Sequence, residues 1–594
     1  MYLRCHRRLK DGKEHRYWSI EEKYRCADGR AVDRHVLYLG EINDSQQASW
    51  LRCIEAIEEG SQRQLRLALF PADQTIPAPA AAIGVQVRLT EFTLQRPRQW
   101  GACWGVCQLW TALPLDQFWR ERLPPSREGT SWCHVLLILV AYRLLAPGSE
   151  WRLHREWYAH SAMGDLLGED VGVVAKDTLD RCLDKLVAHQ EELFRFLTAR
   201  WQALFGVTYD LLLYDLTSTY FESDPPFPEG DPRRHGYSRD HRPDCGQVVL
   251  ALVVTPEGFP LAYQVLPGNT TDNPTLPACL AQIEARYGAA RRSWVMDRGL
   301  PPEAPLAQLR ARGAQDLVGT PKGRLSPLEQ RLLARPWQAA RPSVQGKLPP
   351  QDTDLDGWVQ SAARVQKERA MRRRRLKRLG ARLQAVQRQR PTYQTLLLKL
   401  GAAMGDEGRA WGLVQVEWPA PPPQGERARR VAFTFTLNTA KLRRVRRREG
   451  RYLLRSNLTE TDPARRWEFY LPLVEVEAAF KHLKGDLAVR PIYHQLPARI
   501  EAQIFVAFLA SCLPVTLRAH LRPHAPGLPV RQVLDKFAAM QLLDVHFPTT
   551  DGRELIFTRP TEPEPDQHLL LTHLGWTLPA QPPPRITAKR AVRM

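Results

Sequence analysis

Three carboxylates stand where their spacing suits chemistry. In TYDLLLYDLTSTYFES, residues 208–223, an almost unbroken apolar run reads as a buried strand with Asp215 at its end. A later strand candidate, SWVM, ends at Asp297 in MDRGL. An ionised carboxylate in an apolar setting costs several kcal/mol unless it is paired or binds metal. Two strands that each end in an acid therefore call for a cationic partner. A third acid, Glu477, lies in RRWEFYLPLVEVEAAFKHLKGDLAVRP. At 100° per residue, Phe469, Leu473, Val476, Phe480, Leu483 and Leu487 form one apolar stripe. Tyr470, Glu477 and Lys484 recur every seven residues on a second, roughly 80° away. That puts Glu477 at the edge of the core, facing a cleft; with Lys481 four residues on, it also suits an ordinary surface ion pair.

The elements that must hold these acids follow from the patterning. LLLYDL, GQVVLALVV and FPLAYQVL are successive strand candidates, the last two joined by the turn TPEG, with a helix expected in PTLPACLAQIEARYG before SWVM. The order is strand with Asp, strand, strand, helix, strand with Asp, and a late helix with Glu. It is the order of a ribonuclease H-like fold, in which the first and fourth strands lie side by side and present their acids at one edge. The expected organisation is a small β module at 1–45, a helical region at 46–200 and the core's first half at 201–320. An α+β insertion at 321–450 carries a basic helix and the strands WGLVQVEW and VAFTFTL; 451–545 complete the core and 546–594 form a C-terminal tail, disordered in its basic end. The fold class is thus α/β, a mixed sheet flanked by helices and interrupted by a large insertion. Pro491 is expected to mark the end of the Glu helix.

Charge adds a second clue. The 594-residue chain has a net charge of +20, concentrated in two runs. Residues 361–390 hold twelve Lys or Arg against Glu368, and 441–451 hold seven against Glu449. Basic helical runs in an otherwise near-neutral chain are the footprint of a polyanion, and nucleic acid is favoured over a solvated helix. Neither run has the bulky aromatics of an interfacial helix, so no membrane partner is expected. The apolar runs at 134–145 and 504–513 read as core helices. No signal peptide is expected at the basic start, and the ten scattered cysteines suit reduced, mostly buried thiols in the cytoplasm.

The tyrosine-glutamate-lysine helix resembles the signature of bacterial insertion-sequence transposases of the DDE class. So do YDLTSTYFE, GYSRDHRPDCGQVVLALVVTPEGFPLAYQVLPGNTTDNPT, VMDRGL, YLLRSN and VEAAFKHLKGDLAVRPIYH, from about residue 205 to 515, with MYLRCHRR and YRLLAPGSE. The resemblance implies that Asp215, Asp297 and Glu477 are the catalytic acids, with Tyr470 and Lys484 as the flanking signature. The chain departs from many relatives at Leu473, where Arg is common, and at Val474, where an aromatic is frequent. All-oxygen ligands suit two Mg²⁺ ions, or Mn²⁺ in their place, which stabilise the attacking and leaving oxygens of phosphodiester cleavage.

The implied activity is metal-dependent cleavage and strand transfer at the element's terminal inverted repeats. The partners are those ends and target DNA, with a homodimer in the DNA complex, in the bacterial cytoplasm near the nucleoid. A nuclease without strand transfer and a non-catalytic DNA-binding descendant are the alternatives. Lys484 and the run Arg372, Arg373, Arg374 and Arg375 are assigned to DNA. Arg239, His241 and Arg242 in GYSRDHRPD suit DNA contact or a solvated loop, while Asn269, Thr271 and Asp272 suit turn and capping roles.

Overall fold

The first ordered elements are three antiparallel strands, β1 (Tyr2–Lys10), β2 (Lys13–Arg25) and β3 (Ala31–Gly40), with β2 in the middle. The computed structural model describes residues 2–10, 13–25, 31–40, 87–222, 227, 230–238, 240, 242–270, 293–296, 306–307, 310–311, 313–320, 338–341, 344–347, 357–421, 430–457, 479–487, 489–525 and 527–587. Strand β4 (Thr93–Gln99) leads into a helical layer that includes α1 (Trp132–Leu145), α2 (Lys176–Leu186) and α3 (Gln190–Phe205). α1 is apolar on nearly every side and is buried accordingly. α3 stops at Gly206, whose φ of 62° is the left-handed conformation that a helix C-terminus favours and glycine adopts without strain.

Among the described residues the central sheet has nine strands, in the order β10 (Gln338–Arg341), β11 (Val344–Lys347), β12 (Gly357–Ser361), β15 (Arg451–Ser456), β9 (Gln315–Thr320), β8 (Ser293–Met296), β5 (Leu211–Phe221), β6 (Gly246–Val254) and β7 (Pro260–Pro267). β5, β6 and β7 are an antiparallel meander, while β8 and β9 run parallel to β5 on its other side. Every residue of β6 is buried, as an unbroken apolar run requires when a sheet is covered on both faces. Leu213, Leu250, Leu252 and Val254 join the main core with α1. Leu212, Tyr214, Leu216 and Val249 face a smaller cluster with Trp294 and Met296.

The far side of the sheet was not foreseen. β10, β11 and β12 extend it antiparallel, joined through β15 to β9. Between β12 and β15 lie the 28-residue helix α4 (Ala362–Gln389), α5 (Tyr393–Asp406), a helical turn Gly408–Trp411, the hairpin β13 (Val414–Glu417) and β14 (Thr434–Leu437), and α6 (Thr439–Arg447). This stretch has a core of its own, in which Leu379, Leu383, Leu396, Leu400 and Phe433 are buried.

After β15, α7 (Pro497–Leu521) crosses the main core. It is long and apolar enough to cross a membrane, but it is almost wholly buried here and packs against α1 and α2. The expected C-terminal tail at 546–594 needs correction. α8 (Val530–Ala538) is followed by β16 (Gln541–Pro548), β17 (Glu554–Pro560), α9 (Pro565–Leu574) and β18 (Arg585–Ile586). β16 pairs with β4, about 450 residues earlier, with Leu94 opposite Val545. Arg98 and Asp544 lock that pairing at 2.9 Å, both almost fully buried. A partner so distant leaves no local trace, so the strands read as a tail.

Candidate active site

Asp215 lies in β5 between the buried Tyr214 and Leu216 and is itself partly exposed. Side chains alternate along a strand, so Asp215 belongs to the face of Leu213 and sits opposite Leu252 of β6. The N–H of Leu216 donates to its Oδ1 at 2.8 Å, which fixes the orientation of the carboxylate. On the other side, Tyr214 is opposite Met296, the last residue of β8. Asp297 follows Met296 in the chain but lies outside the described residues, as do Tyr470 and Glu477.

The end of the Glu-bearing segment meets the same face of the sheet. Phe480, Leu483 and Leu487, three members of the expected apolar stripe, are buried in the core that holds Leu213 and Leu252. A wider turn, His482–Asp486, closes the helix before Pro491. It includes Lys484, whose side chain lies outside the described residues. The following segment is tied to β5: Thr219 Oγ1 donates to the Val489 carbonyl at 3.3 Å, and the Ile492 N–H donates to the Tyr220 carbonyl at 3.2 Å. These ties are four and five residues beyond Asp215, roughly 13–17 Å along a strand.

The loop between β5 and β6 is strapped to that segment. Arg233 and Asp231 form a fully buried ion pair at 2.6 Å, and Arg233 also reaches Gln495, with the Phe227 ring 4.4 Å from its guanidinium. Asp240 pairs with Arg490. Gly236 and Gly268 allow the close approach: a Cβ on Gly268 would lie 1.9 Å from the Gln247 carbonyl, and one on Gly236 2.2 Å from that of Gly268. Thus GYS and PGN are fixed by backbone contact. Arg239 and His241 lie outside the described residues, as do Thr271 and Asp272. Arg242 is taken up by Asp244 at 2.9 Å and Glu222 at 3.2 Å, with its guanidinium over the Tyr220 ring. Its hydrogen bonds hold the Asp244 carboxyl down at about 2. In this arrangement Arg242 serves the loop's own acids, a role that loop position alone did not suggest.

A third strap joins two motifs 350 residues apart. Arg143 of YRLLAPGSE is buried and pairs with Glu150 at 3.4 Å, and Glu150 faces His494 of RPIYH at 3.5 Å. Burial pushes the Glu150 carboxyl up, but the His494 hydrogen bond and the Arg143 charge together hold it below its ordinary range. Sequence reasoning missed Arg143, Asp231, Arg233, Asp240 and Arg490 as positioning groups. Arg143, Asp240 and Arg490 are charges inside the quoted motifs, whereas Asp231 and Arg233 lie just before GYSRDHRPD, outside any of them.

The basic run divides. Arg373 and Arg374 are exposed, and Arg375 is half-buried. Arg372 is held differently from its neighbours: its side chain is 9% exposed and paired with Glu449, which is 4% exposed and also 3.5 Å from Arg369. Burial, and then the cations Arg446, Arg369 and Arg373, push the Arg372 guanidinium below its ordinary range. Arg372 is turned inward against Glu449, two residues beyond the end of α6, which no count of arginines reveals.

Among the described residues no cluster of three His, Cys, Asp or Glu could hold a metal, since two of the three candidate acids lie outside them. Asp215 itself fits a hard cation: it is a carboxylate, partly open, beside the last pair of β5 and β8. The described cysteines are free thiols; burial pushes that of Cys107 up to about 12.

Residues 208–513 match the family described as Transposase DDE domain. No curated protein sequence matches significantly. Among solved structures, the chain is similar to a piggyBac transposase in a synaptic complex with hairpin DNA, determined by cryo-EM. The identity is 9% and the TM-score 0.33, over 79% of each chain.

Proposed function

The chain belongs to the transposase DDE domain family, whose match covers just over half of it, and on that premise we propose that it is the DNA transposase of a bacterial insertion sequence. It binds the element's terminal inverted repeats as a homodimer in the DNA complex, cuts with water as nucleophile and joins the freed 3′-hydroxyl to target DNA. It works in the cytoplasm, at the nucleoid.

The observation that carries the assignment of the acids is the register of β5 and β8. They are parallel neighbours, and Tyr214 is opposite Met296, so each strand's acid is the next residue in sequence. The antiparallel order β7-β6-β5 followed by the parallel β8 and β9 supports the ribonuclease H-like reading. The segment from β10 to α6 is then the insertion. Burial of Phe480, Leu483 and Leu487 on Asp215's face supports Glu477 as the third acid.

Asp215, Asp297 and Glu477 would hold two Mg²⁺ ions, with Mn²⁺ as substitute, through oxygen ligands alone. When bound, the pair supplies charge stabilisation for both the attacking and the leaving oxygen. The chain's own part is orientation. The Leu216 N–H fixes the Asp215 carboxylate, the ties at Val489 and Ile492 hold the late helix against β5, and the Arg233 and Arg490 straps keep the loop beside them rigid. Lys484, Tyr470, Arg239 and His241 stand as DNA contacts of this reading, with Arg373, Arg374 and Arg375.

The deciding experiment measures cleavage and strand transfer on a labelled duplex ending in the element's inverted repeat, for the native chain and for D215N, D297N and E477Q. Loss of both reactions in all three, with DNA affinity retained, is the expected result. Normal cleavage by any one of them would remove that residue from the triad. Cleavage without joining by the native chain would make it a nuclease.

A further inference from the structure

The two basic runs, separate in sequence, meet at one cavity of about 430 Å³. Arg364, Glu368, Met371, Arg372 and Arg375 of α4 line one wall, at spacings that keep them on one side of the helix. Arg409, Ala410 and Leu413 line another, and Val445, Arg448 and Glu449 close it from the end of α6. Five arginines thus face two carboxylates, and those two are committed. Glu368 pairs with Arg364 at 3.1 Å and accepts the Gly450 N–H at 2.9 Å. Glu449 takes Arg372 and Arg369. Arg375 and Arg409 have no ion-pair partner among the described residues. Leu413 and Ala410 make an apolar floor, and Met371 and Val445 are unusually exposed for their type, at 37% and 39%.

Cations gathered in excess around a half-enclosed apolar floor repel one another unless an anion joins them. Guanidinium forks bind phosphate bidentately, and a floor of methyl and methylene groups suits the sugar that accompanies it. From this arrangement we infer that the cavity is a phosphate-binding site that seats a phosphate–sugar unit of the DNA backbone, with Arg375 and Arg409 as its phosphate contacts. The inference deepens the DNA-binding reading above and rests on it. It divides the arginines by role: Arg375 and Arg409 face the ligand, while Arg369 and Arg372 neutralise Glu449 and shape the wall. Arg409 lies in neither basic run, and only the packing of the turn Gly408–Trp411 against α4 brings it here.

Fluorescence anisotropy with a fluorescein-labelled duplex, at several salt concentrations, tests this for the native chain, R375A/R409A and R375K/R409K. The alanine pair should bind more weakly and lose about 1–2 from the slope of log affinity against log salt, because each phosphate contact contributes roughly 0.9. The lysine pair should keep most of the slope, since the point charges remain. Superimposable lines for the native chain and the alanine pair, with unchanged far-UV circular dichroism, would overturn the inference. Failure of the native chain to bind any duplex would instead count against the transposase reading, and calorimetric titration with inorganic pyrophosphate then decides the site. Binding by the native chain that is lost in R375A/R409A would support a phosphate site served by a free ligand. No heat of binding to the native chain would overturn it.

Discussion

Around Asp215 charge is sparse, buried and matched; around α4 it is dense, half-exposed and unmatched. In the first region the arginines are matched by carboxylates: Arg233 has Asp231, Arg490 has Asp240, Arg143 shares Glu150 with His494, and Arg242 has Asp244 and Glu222. In the second, three arginines crowd two glutamates, and Arg375 and Arg409 are left over. On the proposed function, the difference follows from what each region would have to do. Chemistry at a phosphodiester needs groups held to within a fraction of an ångström, which paired and desolvated charges provide. Holding a long polyanion needs a net field, and only unneutralised cations create one. A substitution in the first region should therefore act through position, and one in the second through charge, except where the second region borrows the first one's device.

The largest effect expected from this contrast is at Asp215. D215N keeps the shape of the side chain and removes a charge, so cleavage should fall roughly a thousand-fold or more while DNA affinity changes little. A comparable loss of affinity would mean that Asp215 acts by shaping the DNA surface, and the contrast would blur.

Next is E150Q, which leaves Arg143 buried beside a neutral side chain and should cost about 3 kcal/mol of stability in thermal or denaturant unfolding. The folded Glu150 carboxyl sits below its ordinary value of 4.5. Its contribution is thus present above that value and is lost as pH falls through it towards the lower folded value. E150Q should accordingly flatten the dependence of unfolding temperature on pH below about 4.5. A native and variant pair that lose stability in parallel there would show that Glu150 carries none of the acid sensitivity.

R372A is smaller and sharper. Glu449 keeps Arg369, so the expected loss is about 2 kcal/mol, read as faster local hydrogen exchange in α4 and α6. The salt slope of DNA binding should stay close to native, in opposition to R375A/R409A. A fall in slope without a change in exchange would place Arg372 among the ligand contacts after all.

The smallest effect belongs to R242A. Asp244 and Glu222 already occupy that guanidinium at the surface, so cleavage and DNA affinity should both stay near native. A marked loss of affinity would show that Arg242 leaves its acids for DNA.

Much of the central sheet was legible because its strands announce themselves locally. GQVVLALVV is β6 and SWVM is β8, residue for residue, since a run of β-branched and apolar residues between turn formers has few other solutions. The apolar stripe through Phe480, Leu483 and Leu487 was legible for the same reason: a helical period shows which side must be buried. β5 is longer than LLLYDL suggested and runs on to Phe221, because Thr217 and Thr219 pair with β6 as readily as leucine does.

What the chain's order of residues pointed to by itself is a kind of chemistry and the sign of a partner: one acid within an apolar strand and one just after another, and arginines in runs too dense to neutralise one another. Only the tertiary structure decided which charges are available. It turned Arg372 towards Glu449 and added Arg409 to a cavity from outside either run. It also made strands of residues 541–548 by pairing them with β4, some 450 positions away. The physical reason is common to all three. Local patterning is set by the period of a helix or strand, whereas neutralisation and pairing are set by whatever the fold brings within a few ångströms, however distant in the chain.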